Sequence, residues 1–266
     1  MATSSHHHVL LLGGHGRVAQ ILTPLLLKRS WTVTSVIRVD EQIPTIEKLG
    51  AGLPGKLHVL ARSIEEISSQ EEAASLLDEV KPDYVAWSAG AGGKGAPERT
   101  FKIDRDAAIH FINAATASLS ISRFLLVSYI GARRSGAAWW PSDLWDEYYE
   151  KVTDNGQGRY YQAKLAADEA LYEATKKRPS LVGIDLRPGA LTDDSIGQVS
   201  LGKTSVVRGR VSRESVAHVA DRLLAAEGVQ SGWLDLLAGD DEIDVAIEKV
   251  IRDAVDTAEG EPIYKL

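Results

Sequence analysis

Short apolar runs alternate along this chain with longer segments whose apolar positions recur every three or four residues. The first run, Val9-Leu10-Leu11-Leu12, is unbroken, as expected of a strand buried on both faces. It passes through Gly13-Gly14-His15-Gly16 into a segment from Arg17 to Arg29. There Val18, Ile21, Leu22, Leu25 and Leu26 share one helical face. Pro24 removes a backbone donor inside this helix and predicts a kink or an early break.

The alternation continues. Thr32 to Ile37, rich in β-branched residues, reads as a second strand. A loop carrying Pro44, Gly50, Gly52, Pro54 and Gly55 follows, with room for a short helix. Strand three is Leu57 to Ala61, a polar helix covers about Ser69 to Val80, and strand four is Tyr84 to Ala89. A helix over about Phe101 to Ala117 buries Ala108, Phe111, Ile112 and Ala115, and strand five is Arg123 to Ser128. Gly136 to Gly158 is aromatic and reads as irregular. A helix from near Tyr160 to near Lys176 precedes strand six, Val182 to Leu186. Shorter elements complete the chain: a strand around Val206 to Val211, a helix from Arg213 to Ala226, a strand near Trp233 to Leu237 and a helix from Ile243 to Val255.

Strands that alternate with helices predict an α/β fold with a doubly wound, mostly parallel sheet. No repeat or linker divides the chain, so one domain is expected over 1–266. Its substrate-side segments are expected at about 129–160 and 190–240. In such sheets ligands bind beyond the carboxyl ends of the strands, where the strand order reverses.

Composition narrows the function. With 37 acidic against 30 basic residues the formal charge is −7, which argues against a nucleic-acid or anionic-membrane partner. No cysteine is present, which excludes disulfides, thiolate catalysis and cysteine-held metals. Met1 to His8 lack the apolar core of a signal peptide, and no apolar run reaches membrane-spanning length. A cytoplasmic monomer or homodimer with no bound metal is the expectation. His6, His7 and His8 are assigned no function, and His58, His110 and His218 read as structural.

The chemistry begins at the first turn. Gly13 permits the tight turn, Gly16 lets the backbone approach a pyrophosphate, and Ala19 keeps the helix close to the strand. Amide groups at the helix start would face the phosphates. Gly13, Gly14, His15, Gly16, Arg17 and Val18 are therefore candidate dinucleotide-binding residues, in a G-x-x-G-x-x-A spacing within the strand–turn–helix context. Arg38 stands where strand two ends. An arginine there pairs with the 2′-phosphate of NADP, whereas nearby Asp40 could hold the 2′-hydroxyl of NAD; Arg38 is nearer the strand end, which favours NADP(H).

Tyr160 and Lys164 lie at i and i+4 on one helical face. A nearby ammonium lowers a phenol's pKa, so the pair can exchange a proton with a carbonyl or alcohol oxygen. The buried stripe of that helix is expected at Ala163, Ala166, Ala167, Ala170 and Leu171, leaving Tyr160 and Lys164 off the core. Ser128, closing strand five, could bond the substrate oxygen, or simply cap the strand end. Trp139, Trp140, Trp145, Tyr148 and Tyr149 read equally as a pocket rim suited to a flat or apolar substrate and as a satellite core under a loop.

Together, Gly13-Gly14-His15-Gly16-Arg17-Val18-Ala19, Ser88-Ala89-Gly90-Ala91-Gly92-Gly93, Leu126-Val127-Ser128, Tyr160-Tyr161-Gln162-Ala163-Lys164 and Leu186-Arg187-Pro188-Gly189 carry a resemblance. The chain resembles the short-chain dehydrogenase/reductase superfamily over nearly its whole length. The likeness is to its atypical NmrA-like and biliverdin-reductase-B-like NAD(P)-binding members. The resemblance implies a Rossmann-type sheet with a small C-terminal substrate-binding extension. It also implies that Ala89, Gly90 and Ala91 flank the cofactor and that Pro188, Gly189, Ala190 and Leu191 line the nicotinamide. Ser128, Tyr160 and Lys164 become three members of a catalytic tetrad, with Asp104 where the superfamily usually has asparagine. Two positions depart from the pattern. Ser128-Tyr129 replaces a serine pair, and Arg62-Ser63 stands where an aspartate typically touches adenine, which leaves Ser63 on the adenine side.

The reading expected is an NADPH-dependent reductase of a carbonyl small molecule, bulky and aromatic if the tryptophans line the pocket. An epimerase, isomerase or dehydratase that recycles its cofactor is a second reading, and a non-catalytic NADP sensor a third. The intact Tyr160–Lys164 pair argues against the sensor.

Overall fold

The computed structural model describes residues 6–92, 96, 98–154 and 158–265, except the side chains of Ser142, Thr153 and Asp154. Gly93, Lys94 and Gly95 of the second glycine turn lie outside the described residues.

Strand β1, His8–Leu12, shows why its apolar run is unbroken. Val9 and Leu11 enter one core layer while Leu10 and Leu12 enter the other, because successive strand residues point to opposite faces. Helix α1, Arg17–Lys28, follows at once, and then β2, Thr32–Ile37, which is buried throughout. The loop holds the short helix α2, Ile43–Glu47. Then come β3, Lys56–Ala61; α3, Gln70–Val80; and β4, Tyr84–Trp87. A short helix α4, Glu98–Thr100, runs through π-helical turns over Phe101–Ala107 into α5, Ala108–Ala117. Strand β5 is Arg123–Val127. Helices α6, Ser142–Asp154, and α7, Gly158–Lys177, precede β6, Val182–Pro188. The last part contains β7, Ala190–Thr192; β8, Val199–Leu201; β9, Arg210–Ser212; α8, Arg213–Ala225; β10, Gly232–Ala238; and α9, Ile243–Arg252.

Among the described residues the main sheet has eight strands in the order β3-β2-β1-β4-β5-β6-β10-β8, all parallel except β8 against β10. The order reverses between β1 and β4, so the crevice beyond their carboxyl ends is the expected ligand position. Helices α1, α8 and α9 cover one face, and α3, α5 and α7 the other. A third cluster joins Ile130, Trp140, Trp145, Tyr148 and Tyr161 to Trp233 and Leu237 of β10. No helix among the described residues is long and apolar enough to cross a membrane.

Four expectations need correction. Pro24 does not break α1, which continues to Lys28 because Leu22, Leu26 and Leu27 are fully buried around it and outweigh one lost bond. The segment expected to be irregular contains α6, whose Trp145, Tyr148 and Val152 face the third core cluster at helical spacing. The strand expected at Val206 to Val211 is β9 alone, and it pairs in parallel with β7 in a small separate sheet. The stripe expected on α7 is too narrow. Ala163, Ala167 and Leu171 are buried, but so are Tyr161, Lys164, Leu165 and Asp168, because the third cluster covers a second side of the helix.

Candidate active site

The first turn is shaped by close backbone approach. Gly13 adopts φ +83°, and a Cβ there would lie 2.6 Å from Ala89 Cα, so the loops leaving β1 and β4 touch. Gly14 donates from its amide to Val36 O at 2.8 Å, and a Cβ on it would reach 1.9 Å from Ser35 Oγ. Gly16 donates to Gly13 O at 2.8 Å and begins α1. That helix has no side-chain cap and no acidic residue in its first turn. Its free amide groups and positive dipole end are therefore left for an external anion.

Two cavities meet at this turn. One, of about 210 Å³, is lined by Gly13, His15, Gly16, Ile37, Arg38, Gln42, Arg62, Ser63, Ser88, Ala89, Gly90 and Arg99. The other, of about 810 Å³, is lined by Gly16, Arg17, Val18, Ser88, Ala89, Gly90, Asp104, Ser128, Tyr129, Arg159, Tyr160, Lys164, Gly189, Ala190, Leu191 and Arg213, with a few neighbours. Gly16 and Ser88 to Gly90 belong to both walls. An extended dinucleotide fits this shape, with its phosphates over the uncapped helix and one end in each cavity. Three residues expected at the cofactor stand behind the wall. Gly14 is buried against β2, Ala91 donates its amide to Asp104, and Pro188 lies buried within β6, where its carbonyl accepts from Ile130.

In the smaller cavity Arg38 is exposed at the exit of β2 and makes no ion pair among the described residues. Its amide donates to Gln42 Oε1 at 3.1 Å. Arg62 and Arg99 are paired, with Glu79 at 3.0 Å and Glu65 at 2.9 Å. Asp40 starts a short 3₁₀ turn and does not line the cavity.

In the larger cavity the Tyr160 ring lies beside Lys164, whose Nζ is 5.8 Å from the ring centroid. Lys164 is 3% exposed. Its ammonium donates to Val127 O at 3.1 Å and lies 3.4 Å from Asp104 Oδ1. Asp104, supplied by the π-helical turns, accepts the Ala91 amide at 2.9 Å through its other oxygen. A Cβ on Gly90 would come within 2.8 Å of Asp104 Oδ1, so this glycine lets the second turn close over the carboxylate.

The electrostatics correct one expectation. Burial raises the Tyr160 phenol above its ordinary value, and the Lys164 charge only partly offsets this. Tyr160 is therefore held as the protonated phenol at neutral pH. Burial pulls the Lys164 ammonium down, but Tyr160, Asp104 and Asp168 outweigh it and the net shift is upward.

Ser128 lines the cavity, but its hydroxyl donates to Asp168 Oδ1 at 2.5 Å. Asp168 in turn accepts from Arg187 Nη1 at 2.5 Å, and Arg187 Nε donates to Asp235 Oδ1 at 2.9 Å. Asp185 is buried beside them, its Oδ2 3.9 Å from Arg187 Nη1, and neither carboxylate oxygen has a hydrogen-bond partner among the described residues. Burial raises Asp168 to about 6, with Arg187 and the Ser128 hydroxyl opposing. Burial and the Asp168 charge push Asp185 well above its ordinary value. This network was missed in the sequence. Its signals were Asp168 one turn beyond Lys164 and two charged residues, Asp185 and Arg187, on one face of an otherwise apolar central strand.

The tryptophans resolve into a satellite core. Trp140, Trp145 and Tyr148 are buried in the third cluster, and none of Trp139, Trp140, Trp145, Tyr148 and Tyr149 lines the larger cavity. The aromatic side chains on that wall are Tyr129 and Tyr160, their ring centroids 5.6 Å apart. The basis for a bulky aromatic substrate is thereby removed.

A fold of this topology, with an uncapped helix at its glycine turn and a cleft on both sides, defines a dinucleotide-binding protein. The NAD(P)H-binding family model matches residues 13–227, and the chain belongs to that family. A UPF0659 protein of Schizosaccharomyces pombe is 32% identical over 97% of this chain and 98% of its own length. A Bacillus subtilis protein named as an uncharacterized sugar epimerase, YhfK, is 30% identical over 91% of this chain and 99% of its own. Among solved structures, a putative NAD-dependent epimerase/dehydratase from Bacillus halodurans superposes with TM-score 0.71 at 25% identity, covering 91% of this chain and 99% of that one. The anaerobilin reductase ChuY of Escherichia coli O157:H7 shares the fold, with TM-score 0.65 at 23% identity over 88% and 98% of the two chains. The chain is thus an NAD(P)-binding protein of oxidoreductase and epimerase type, consistent with the atypical, NmrA-like branch of the short-chain dehydrogenase/reductase superfamily.

Proposed function

We propose that the protein is an NADPH-dependent reductase acting on a carbonyl group of a small molecule. The observation that carries this reading is Tyr160 beside a Lys164 held by Asp104 and Val127, all on the cavity that adjoins the glycine turn. A nicotinamide bound there would deliver a hydride to the carbonyl carbon. Tyr160 gives its phenolic proton to the oxygen as negative charge develops on it, and solvent later restores that proton. Lys164 limits the rise in the phenol's pKa and bonds the nicotinamide ribose. Ser128 turns its hydroxyl from Asp168 to the substrate oxygen and orients it. A phenol kept protonated by burial suits reduction, where the tyrosine must donate. NADP(H) is favoured over NAD(H) because Arg38, not Asp40, lines the adenosine cavity.

Tyr160→Phe tests the reading. Turnover of any carbonyl substrate should fall by about 10²-fold or more, as expected on removing a general acid, while NADPH affinity stays within about twofold. Unchanged turnover would remove Tyr160 from the chemistry. A second reading, epimerisation with a recycled cofactor, is favoured by the likeness to YhfK and the Bacillus halodurans protein. Turnover without net NADPH oxidation would select it.

A further inference from the structure

The larger cavity carries more positive charge than a cofactor needs. Arg17, Arg159, Lys164 and Arg213 line it, against one lining carboxylate among the described residues, Asp104, in a chain whose formal charge is −7. Lys164 is accounted for by Asp104. Arg17 opens α1, beside the place for a pyrophosphate. Arg159 and Arg213 have no part in holding Asp104 or opening α1. Arg159 is exposed, directly precedes Tyr160 and makes no ion pair among the described residues.

Arg213 is placed by the small sheet. The register pairs Thr192 with Ser212, so the next residue on each strand, Asp193 and Arg213, leave side by side. Arg213 Nη1 lies 2.7 Å from Asp193 Oδ1, and Arg17 Nη1 lies 2.6 Å from both Asp193 oxygens. A carboxylate of the chain itself thus sits between two guanidinium groups of the cavity wall. The Asp193 side chain is 67% exposed and that of Arg213 only 18%. Asp193 can swing into water at little cost, since an exposed ion pair is worth roughly 0–1 kcal/mol. The less exposed arginine would then need another anion.

We propose that the substrate carries an anionic group, a carboxylate or a phosphate, received by Arg159 and Arg213 as Asp193 is displaced. One anion replaces another, so no guanidinium is left unpaired in the cleft. The proposal rests on the larger cavity holding the nicotinamide and substrate, but not on the chemistry assigned to Tyr160.

The test measures thermal stabilisation of protein saturated with NADP⁺ by succinate or by inorganic phosphate, against chloride at matched ionic strength. At least one of the two should give a saturable upward shift, and which one does so separates carboxylate from phosphate. In the Arg159→Gln/Arg213→Gln double variant the apparent affinity should fall tenfold or more, with NADP⁺ affinity within twofold. Asp193→Asn should tighten anion binding several-fold, because it removes the internal competitor. Three results would each overturn the proposal: no shift beyond chloride, an equal shift in the double variant, or a shift seen only without NADP⁺, which would give these arginines to the cofactor. Because the readout is binding, failure of the Tyr160 chemistry would leave this result unaffected.

Discussion

Lys164 Nζ and Asp104 Oδ1 stand 3.4 Å apart, both almost wholly buried, across the contact between α7 and the π-helical turns before α5. The pair explains how an ammonium can stay charged there, and Asp104 also fixes the second glycine turn through the Ala91 amide. Asp104→Ala would leave a buried charge short of its partner and a buried amide without an acceptor. We expect a loss of about 3 kcal/mol, the lower end for breaking a buried pair. Asp104→Asn keeps an acceptor and should cost nearer ~1 kcal/mol. Urea unfolding of both variants checks the difference; equal losses would mean that the charge is immaterial.

Arg38 decides the cofactor in our reading. Wild-type protein should be stabilised more by NADPH than by NADH, and Arg38→Ala should remove most of that preference, about tenfold in Kd, or roughly 1.4 kcal/mol. Thermal shift with each cofactor measures it. Equal shifts in the wild type would refute the 2′-phosphate assignment.

The buried carboxylates give stability a pH dependence. Asp168 is raised to about 6 in the folded chain, above the ordinary value of an unfolded aspartate. The folded state therefore holds a proton that the unfolded state releases. That contribution is complete below the unfolded pKa and is lost as pH rises through about 6. Asp185→Asn mimics the protonated partner and should flatten this loss, leaving the variant at least as stable as wild type at pH 8. Asp168→Asn strips Arg187 of its closest carboxylate, and should cost about 3 kcal/mol across the range. Denaturant melts from pH 5 to 8 would separate the two.

Ser35 Oγ has no hydrogen-bond partner among the described residues and lies where a Cβ of Gly14 would go. Gly14→Ala should cost about 2 kcal/mol by overpacking. Ser35→Ala should be near neutral alone and should recover more than half of that loss when combined with Gly14→Ala. Additive losses in the double-mutant cycle would mean that strain elsewhere in the turn dominates.

Much of this was legible before any coordinates. The run Val9 to Leu12, the glycine turn and the apolar face of α1 predict the first strand–turn–helix unit, because each is a local pattern with a local cause. Tyr160 and Lys164 could be paired from spacing alone, because a helix brings i and i+4 to one face. Helix α6 was also legible in the spacing of Trp145, Tyr148 and Val152, and was hidden by the density of aromatic residues around them.

What the amino-acid order determined by itself is strands β1 to β6 with α1, α3, α5 and α7 between them, their alternation, the doubly wound class and the helical Tyr160–Lys164 pair. These depend on period, turn residues and neighbours within one or two helical turns. Only the tertiary structure decided that Lys164 is buried on Asp104, that burial raises the Tyr160 phenol, that Ser128 bonds Asp168, and that the tryptophans form a core instead of a rim. These outcomes depend on desolvation and on contacts between residues far apart in sequence. Burial and electrostatics act through space, and no local pattern encodes which distant side chain arrives to share them.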